Sequence, residues 1–206
     1  MKAPFIGIMR HCINTDGKGV NTLVAFHGCP LRCKYCLNPQ AINDNGILDT
    51  LTPRELLEIV AIDNLYYLAT NGGITFGGGE PLLWTDFILE FRRICPPEWR
   101  INVETSLNVD IREIEKIYDV IDKFIIDIKD SNPTIYKSYT GCDNIKVIKN
   151  IKYLCNKGLQ HKIHSRVPLI NGFNTKDDAS QTINYLKRLG ISDIELFKYI
   201  IKSSVT

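Results

Sequence analysis

Two patterns of hydrophobic and polar positions alternate along the chain. Short runs rich in Ile, Val and Phe are typical of strands buried in a parallel sheet, and they are separated by windows in which apolar residues recur with the spacing of an amphipathic helix. Six such alternations are present. The predicted strands cover residues 22–27, 74–76, 100–104, 124–128, 162–167 and 193–198.

The helices predicted between these strands cover residues 52–69, 85–94, 110–118, 142–157 and 175–189. Thr52 is a favourable N-cap because Pro53 and Glu55 follow it. Gly158 and Gly190 end the last two helices. An order of strand, helix and strand predicts parallel strands joined by helical crossovers, which form either a barrel or a doubly wound sheet. In both folds, ligands bind at the carboxyl ends of the strands.

A separate feature near the amino terminus is a predicted β-hairpin. The apolar stretches 5–9 and 23–26 flank a turn that contains Asp16, Gly17 and Gly19. We therefore expect an antiparallel hairpin that leads into the first parallel strand.

Composition and charge restrict the classes of function. The chain has 206 residues, with 25 Lys and Arg against 23 Asp and Glu and a formal net charge of +2, which is unlike a protein that binds nucleic acid through a basic surface. No apolar run approaches the roughly 20 residues that span a bilayer. We expect one domain over residues 1–206, located in the cytoplasm, with no nucleic-acid partner and no membrane partner.

Three of the seven cysteines lie within eight residues, in the loop after the first predicted parallel strand. Cys29, Cys33 and Cys36 suit a metal site in reducing surroundings better than a set of disulfides. A structural zinc site or an electron-transfer cluster needs four protein ligands, so three thiols leave one coordination position free. Zinc remains an alternative at this point, since His27 or a more distant cysteine would complete the set.

The next four predicted strands also carry polar or flexible groups at or near their carboxyl ends. In chain order, these groups are the glycines 77–79 with Glu80, then Glu104, then Asp127 with Lys129, and finally Arg166. Glycine lets a ligand approach the backbone closely, a carboxylate accepts hydrogen bonds from an ammonium group, and a guanidinium pairs with a carboxylate. Together these groups favour a zwitterionic ligand.

The cysteine spacing, with the aromatic Tyr35 directly before the last cysteine, resembles that of the radical S-adenosylmethionine (radical SAM) enzymes. The glycines and Glu80 are similar to the glycine-rich segment of the same superfamily. Further segments that resemble glycyl-radical-enzyme activases, in the same order, are residues 15–19, 103–105, 126–129, 139–141 and 166–174. The resemblance covers nearly the whole chain.

This resemblance implies a partial (β/α)6 barrel of the TIM type, preceded by the hairpin, and two cofactors. In the family, three cysteines hold three irons of a [4Fe–4S] cluster, and the fourth iron binds the amino and carboxylate groups of S-adenosylmethionine. The residues that the resemblance assigns to the cluster are Cys29, Cys33 and Cys36. Those assigned to S-adenosylmethionine are Gly78, Gly79, Glu80 and Glu104 for the ammonium group, Asp127 and Lys129 for the ribose and carboxylate, Arg166 as a supporting residue, and Tyr35 near the adenine. In some members the matching residues also hold a monovalent cation, for which this chain offers Glu104, Thr105 and Asp127.

The activity that the resemblance implies is hydrogen abstraction. After one electron arrives from a flavodoxin or ferredoxin, S-adenosylmethionine is cleaved, and the 5′-deoxyadenosyl radical removes hydrogen from a glycine of a partner glycyl-radical enzyme. Two alternatives stay open, namely the same chemistry on a peptide or small molecule, and a non-catalytic iron–sulfur or zinc module. The family often has a glycine where this chain has Leu107. Only about fifteen residues separate Cys36 from Thr52, so we expect no second cluster.

Overall fold

Eight strands form one mixed sheet in the computed structural model, which describes residues 1–199. The strands are β1 (Ala3–Ile13), β2 (Val20–Phe26), β3 (Asp49–Leu51), β4 (Gly73–Gly78), β5 (Arg100–Thr105), β6 (Lys123–Asp127), β7 (Ile163–Leu169) and β8 (Ile194–Lys198). Their order across the sheet is β3, β1, β2, β4, β5, β6, β7, β8. The strands β2 and β4 to β8 pair in parallel, whereas β1 pairs antiparallel with β2 and with β3.

Helices connect every pair of successive parallel strands. They are α1 (Pro53–Val60), α2 (Asn64–Thr70), α3 (Thr85–Ile94), α4 (Ile111–Ile117), α5 (Pro133–Thr140), α6 (Ile145–Asn156) and α7 (Lys176–Arg188). The sheet order begins at β3 and ends at β8, so the described strands form a partial rather than a closed barrel. The predicted fold, a partial (β/α)6 barrel with an amino-terminal hairpin, is confirmed. Within residues 1–199, no helix is long and apolar enough to cross a bilayer.

An aromatic core lies beneath the hairpin and the carboxyl end of β2. The rings of Phe5 and Phe26 stack with their centroids 4.7 Å apart, and Phe76 and Phe87 each lie 5.5 Å from Phe26. All four side chains are at most 1% exposed, and burying a Phe side chain stabilises the folded state by roughly 2 kcal/mol. This packing holds the end of β2, where the cysteine loop begins.

The helix predicted over residues 52–69 is interrupted, and in this respect the prediction was wrong. A 3-10 turn over Ala61–Asp63 separates α1 from α2. The fully buried Asp63 carboxylate accepts hydrogen bonds from Arg10 at 2.6 Å and from the His11 ring at 2.9 Å. The Arg10 hydrogen bond is the main cause of the lowered pKa of Asp63. This contact with β1 is tertiary, so the helical pattern does not reveal it.

The predicted helix over residues 142–157 begins only at Ile145, and the preceding helix α5 was not predicted. The start of α5 has recognisable signals, because Asn132 caps it by accepting a hydrogen bond from the Thr134 amide at 2.9 Å. The helix ends at Gly141, whose φ of +78° is the left-handed conformation that favours glycine. The short strand β3 was also not predicted.

Candidate active site

One cavity of about 500 Å³ lies at the carboxyl ends of the parallel strands. Nine of the eleven site residues predicted from the sequence line this cavity, namely Cys29, Cys33, Cys36, Gly78, Gly79, Glu104, Asp127, Lys129 and Arg166. Parallel strands present their carboxyl ends on one side of the sheet, so residues that are far apart in sequence meet there. The other two, Tyr35 and Glu80, directly precede or follow a lining residue in the chain but are not themselves part of the lining.

The cysteine loop is held by backbone hydrogen bonds on two sides. On the side of β4, the Gly79 amide donates to the Phe26 carbonyl at 2.9 Å, and the Glu80 amide donates to the Gly28 carbonyl at 2.7 Å. On the side of α5, two further loop amides donate to the last carbonyls of the helix. The loop is therefore fixed relative to both the sheet and α5.

The two glycines that line the cavity are required by sterics. A Cβ on Gly79 would lie 2.1 Å from the Gly28 carbonyl oxygen, and Gly78 has a φ of +89° and would place a Cβ 2.7 Å from that of Ala25. The Asn38 amide donates to the Gly78 carbonyl at 3.1 Å. This close packing lets the glycine backbone itself form part of the cavity wall.

Glu80 connects the ends of β4 and β5. Its side chain is fully buried, and its carboxylate accepts hydrogen bonds from the Thr105 hydroxyl at 2.6 Å, the Ser106 hydroxyl at 2.6 Å and the Ser106 amide at 2.9 Å. Burial raises the pKa of Glu80, while these hydrogen bonds lower it. In this structure Glu80 positions the glycine segment, and its direct contact with a ligand stays a prediction.

Four charged side chains form a connected network across β5, β6 and β7. The Arg166 guanidinium donates to Asp127 at 2.7 Å and to Glu104 at 2.9 Å, and the Lys129 ammonium donates to Asp127 at 2.8 Å. Asp127 and Arg166 are directly paired residues of β6 and β7. The network contains two cationic and two anionic side chains. The ammonium group and the carboxylate of an amino acid can therefore each bind to a side chain of opposite charge in place of an ion pair within the network.

The two acids of this network have opposite pKa shifts. Burial by itself raises the pKa of Asp127, but the charges of Lys129 and Arg166 outweigh it and lower the pKa to about 2. Burial raises the pKa of Glu104 to about 7, although Arg166 opposes the shift. Asp127 is therefore ionised throughout the physiological range. Glu104 gains or loses its charge near neutrality, unless a positive charge in addition to that of Arg166 keeps it ionised.

The sequence pattern of the Radical SAM superfamily matches residues 23–186, which include the cysteine loop, the glycine segment and the charge network. The chain belongs to the Radical SAM superfamily. The family recognition made from the sequence is confirmed.

Among radical SAM proteins, the chain is similar to activating enzymes over most of its length. It is 29% identical to the pyruvate formate-lyase 1-activating enzyme of Escherichia coli (strain K12), over 91% of this chain and 77% of that protein. It is 27% identical to the 4-hydroxyphenylacetate decarboxylase activating enzyme of Clostridioides difficile (strain 630), over 89% and 78%. The second alignment spans 247 positions, more than this chain contains, so that relative has inserted segments that this chain lacks.

Solved structures of other proteins share the fold. The crystal structure of Streptococcus suis SuiB bound to S-adenosylmethionine superposes with a TM-score of 0.67, at 14% identity, over 89% of this chain and 43% of that one. A radical SAM methyltransferase from Sphaerobacter thermophilus superposes with a TM-score of 0.63, at 18% identity, over 99% and 69%. At these identities the likeness concerns the fold alone.

The cofactors of this radical SAM protein are a [4Fe–4S] cluster and S-adenosylmethionine, and the three thiols fit the cluster. Within residues 1–199, no three His, Cys, Asp or Glu side chains converge as ligands of a single metal ion, but a cluster takes one thiolate per iron, so its cysteines need not converge. Burial raises the pKa of Cys29 to about 12 and that of Cys33 to about 11. Metal coordination is what removes the proton from such a buried thiol.

The zinc alternative finds little support in the geometry. His27 was the candidate fourth ligand, but its ring nitrogen lies 2.9 Å from the Asn43 carbonyl oxygen, and His27 is not part of the cavity lining. Cys142, the other cysteine close to the loop, donates its thiol hydrogen to the Pro30 carbonyl at 3.5 Å. Neither side chain completes a four-ligand set with the three cysteines.

The aromatic surroundings of Tyr35 include a residue that the sequence analysis did not assign to the site. The Tyr35 carbonyl accepts a hydrogen bond from the Tyr199 hydroxyl at 2.6 Å, and the Lys129 ammonium lies 6.0 Å from the centre of the Tyr199 ring. Tyr199 directly follows β8 and lines the cavity. Because ligands bind at the carboxyl ends of the parallel strands, its position after the last strand was a signal that could have identified it. The position of Tyr35 near the adenine stays a prediction.

Proposed function

We propose that this chain is a glycyl-radical-enzyme activase. The observation that carries the proposal is the meeting, in one cavity, of three thiols with two acids and two bases that match a zwitterion. The relatives named above are activating enzymes, and this chain aligns with more than three quarters of the length of each. When the cluster and S-adenosylmethionine are bound, reductive cleavage supplies the 5′-deoxyadenosyl radical that abstracts hydrogen.

The protein's own residues bind and orient the ligand. Glu104 and the backbone at Gly78 and Gly79 receive the ammonium group, because they place acceptor oxygens in the cavity wall at the ends of the neighbouring strands β4 and β5. Lys129 receives the carboxylate and Asp127 the ribose hydroxyls. The geometry of these contacts depends on Arg166, which bonds both acids and so holds them at a fixed separation.

A monovalent cation at Glu104, Thr105 and Asp127 stays a prediction. The Arg166 guanidinium already bonds both carboxylates. The Thr105 hydroxyl donates to Glu80 and accepts from the Leu107 amide. Charge balance in this cavity therefore does not require a further cation.

Apolar side chains line a further part of the cavity wall and restrict the access of water to it. Leu31, Leu37 and Phe197 belong to its wall together with the ring of Tyr199. Exclusion of water protects a reactive carbon radical from side reactions. We propose a flavodoxin or ferredoxin as the electron donor, and a glycine loop of a glycyl-radical enzyme as the substrate.

The test has two stages, both carried out without oxygen. The cluster is reconstituted, S-adenosylmethionine and a one-electron reductant are added, and 5′-deoxyadenosine is quantified. A candidate glycyl-radical enzyme is then added, and a glycyl doublet is sought by electron paramagnetic resonance. Absence of 5′-deoxyadenosine with an intact four-iron cluster would refute the enzyme assignment. Formation of 5′-deoxyadenosine without a glycyl doublet in any candidate partner would favour a peptide or small-molecule substrate instead.

A further inference from the structure

A second cavity, of about 450 Å³, lies at the amino ends of the parallel strands, opposite the active-site cavity. Arg100 and Lys123 are the first residues of β5 and β6, and both line it. Side chains alternate along a strand with a period of two. Arg100 and Lys123 are therefore on the same side of the sheet as Glu104 and Asp127, which line the active-site cavity. This side of the sheet thus has one cavity at each end of its strands.

The turn between β1 and β2 separates the two cavities. Asn14 and Thr15 line both cavities, whereas Lys18 lines the second one and not the first. The Thr75 hydroxyl of β4 donates to the Asp16 carbonyl and so attaches the turn to the sheet. The second cavity contains none of the residues assigned above to the cluster or to S-adenosylmethionine. It is therefore a separate candidate site with its own chemistry.

The two acidic side chains of this cavity already lie against basic partners. The Asp193 carboxylate lies 2.7 Å from the Lys123 ammonium and 2.7 Å from a ring nitrogen of His164. The Glu195 carboxylate lies 3.3 Å from the other ring nitrogen of His164. Neither acid is therefore free to balance a further positive charge.

Two cationic side chains of the cavity have no such partner. Within residues 1–199, Arg100 and Lys18 form no ion pair. The Nε atom of the half-buried Arg100 is itself buried and has no hydrogen-bond partner in the same part of the chain. A buried donor without an acceptor is destabilising, so most such groups in proteins are paired. The lining of this cavity therefore offers an unmatched donor and two unmatched positive charges.

Arg100 and Lys18 lie on neighbouring parts of the cavity wall. Gly17, which precedes Lys18, packs so closely on β5 that a Cβ would lie 2.5 Å from the Asn102 amide nitrogen. Asn102 is two positions after Arg100 and is therefore on the same face of β5. The Lys18 side chain is exposed, and its flexible stem lets the ammonium approach a group bound at Arg100.

We propose that this cavity binds a small sugar or polyol phosphate, whose phosphate group is held by Arg100 and Lys18. A phosphate monoester carries a charge of about −1.5 to −2 at pH 7, which matches two unpaired cations better than the single charge of a carboxylate. The guanidinium presents its N–H donors in a planar fork that fits phosphate oxygens. The volume is in the range of small-molecule sites, and the carboxylates of Asp193 and Glu195 can accept hydrogen bonds from the hydroxyl groups of the same molecule.

The test is isothermal titration calorimetry of the reconstituted protein with ribose 5-phosphate, ribose and inorganic phosphate. We expect saturable binding of ribose 5-phosphate, weaker binding of inorganic phosphate and none of ribose. Arg100→Gln should lower the affinity for ribose 5-phosphate by about tenfold or more, and Lys18→Gln by about three- to tenfold. Lys116→Gln is the matched control, because it removes one positive charge outside this cavity, and it should leave the affinity unchanged.

Lys18 is exposed, so its variant keeps the test valid even where Arg100→Gln folds poorly. Equal affinities of the unaltered protein, Arg100→Gln and Lys18→Gln would overturn the proposal, as would binding of ribose 5-phosphate no tighter than that of inorganic phosphate.

A second measurement locates the bound phosphate. Saturating S-adenosylmethionine should not displace ribose 5-phosphate, and the Arg100 Nε–H resonance should shift when ribose 5-phosphate is added. Displacement by S-adenosylmethionine, with no shift at Arg100, would place the phosphate in the active-site cavity and overturn the proposal. The activase proposal does not depend on these results, because its own test is the formation of 5′-deoxyadenosine and of a glycyl radical.

Discussion

Arg166 is the residue on which the charge network depends most, and replacing it tests the network directly. Arg166→Met removes the guanidinium that Glu104 and Asp127 share. These side chains are all less than one third exposed, so solvent screens the loss only in part. Removing one partner of a buried ion pair is strongly destabilising because it leaves an uncompensated charge.

The pKa values set the size and the pH dependence of this loss. The lowered pKa of Asp127, about 2 against an ordinary 3.8, is a stabilisation present above pH 4 and lost as the pH falls towards 2. It amounts to about 2.5 kcal/mol. Lys129 and Arg166 both contribute a charge and a hydrogen bond to it, so we take about half, roughly 1.3 kcal/mol, as the share of Arg166. The raised pKa of Glu104, about 7, means that its charge opposes folding as the pH rises above 4.5. Without Arg166 this penalty increases by roughly 1.4 kcal/mol at pH 8. At pH 5, where Glu104 is protonated, the increase is nearly absent.

We therefore expect Arg166→Met to lower the free energy of unfolding by about 2.7 kcal/mol at pH 8 and about 1.3 kcal/mol at pH 5. Urea denaturation followed by tryptophan fluorescence measures both values. Lys116→Gln is the control, because Lys116 forms exposed pairs with Asp86 and Glu113 and should cost less than about 0.5 kcal/mol at either pH. Equal losses at the two pH values, or a loss below about 1 kcal/mol at pH 8, would refute the reasoning.

Three further predictions concern cofactor binding and the cysteine loop. Cys33→Ala should prevent assembly of a full cluster, measured as iron and sulfide per chain, whereas the buried Cys155→Ala should not; equal iron in both would contradict the ligand assignment. S-adenosylmethionine affinity, measured by equilibrium dialysis, should rise up to tenfold per pH unit towards pH 7 as Glu104 ionises, and a Glu104→Gln variant with the same pH profile would exclude this role. Gly79→Ala should lower unfolding free energy by more than about 1 kcal/mol, since its Cβ would overlap the Gly28 carbonyl; an unchanged urea midpoint would exclude the clash.

The residues that line the cavity were predictable because two local features place them. A buried apolar run identifies each parallel strand, and the residue type at its carboxyl end identifies the chemistry, as for Glu104 and Arg166. Glu80 shows the limit of this reasoning. It follows the same strand end as Gly79, yet its carboxylate is buried against Thr105 and Ser106, and only the packing of β4 against β5 determines that direction.

Leu107 shows the same limit for the backbone. The sequence shows only that a leucine stands where the family often has glycine. In the structure Leu107 has a φ of +57° and is fully buried. A left-handed conformation disfavours a side chain, which accounts for the frequent glycine, while burial of the leucine side chain offsets the strain.

The sequence by itself determined the order of strands and helices, the three cysteines and the groups at the strand ends, because each of these is a local pattern of side chains. The tertiary structure alone decided which groups pair, namely that Arg166 bridges two acids and that Asp63, in the turn between α1 and α2, binds Arg10 of β1. Pairing, burial and the resulting pKa shifts depend on distances between residues far apart in the chain, and those distances exist only once the sheet has folded.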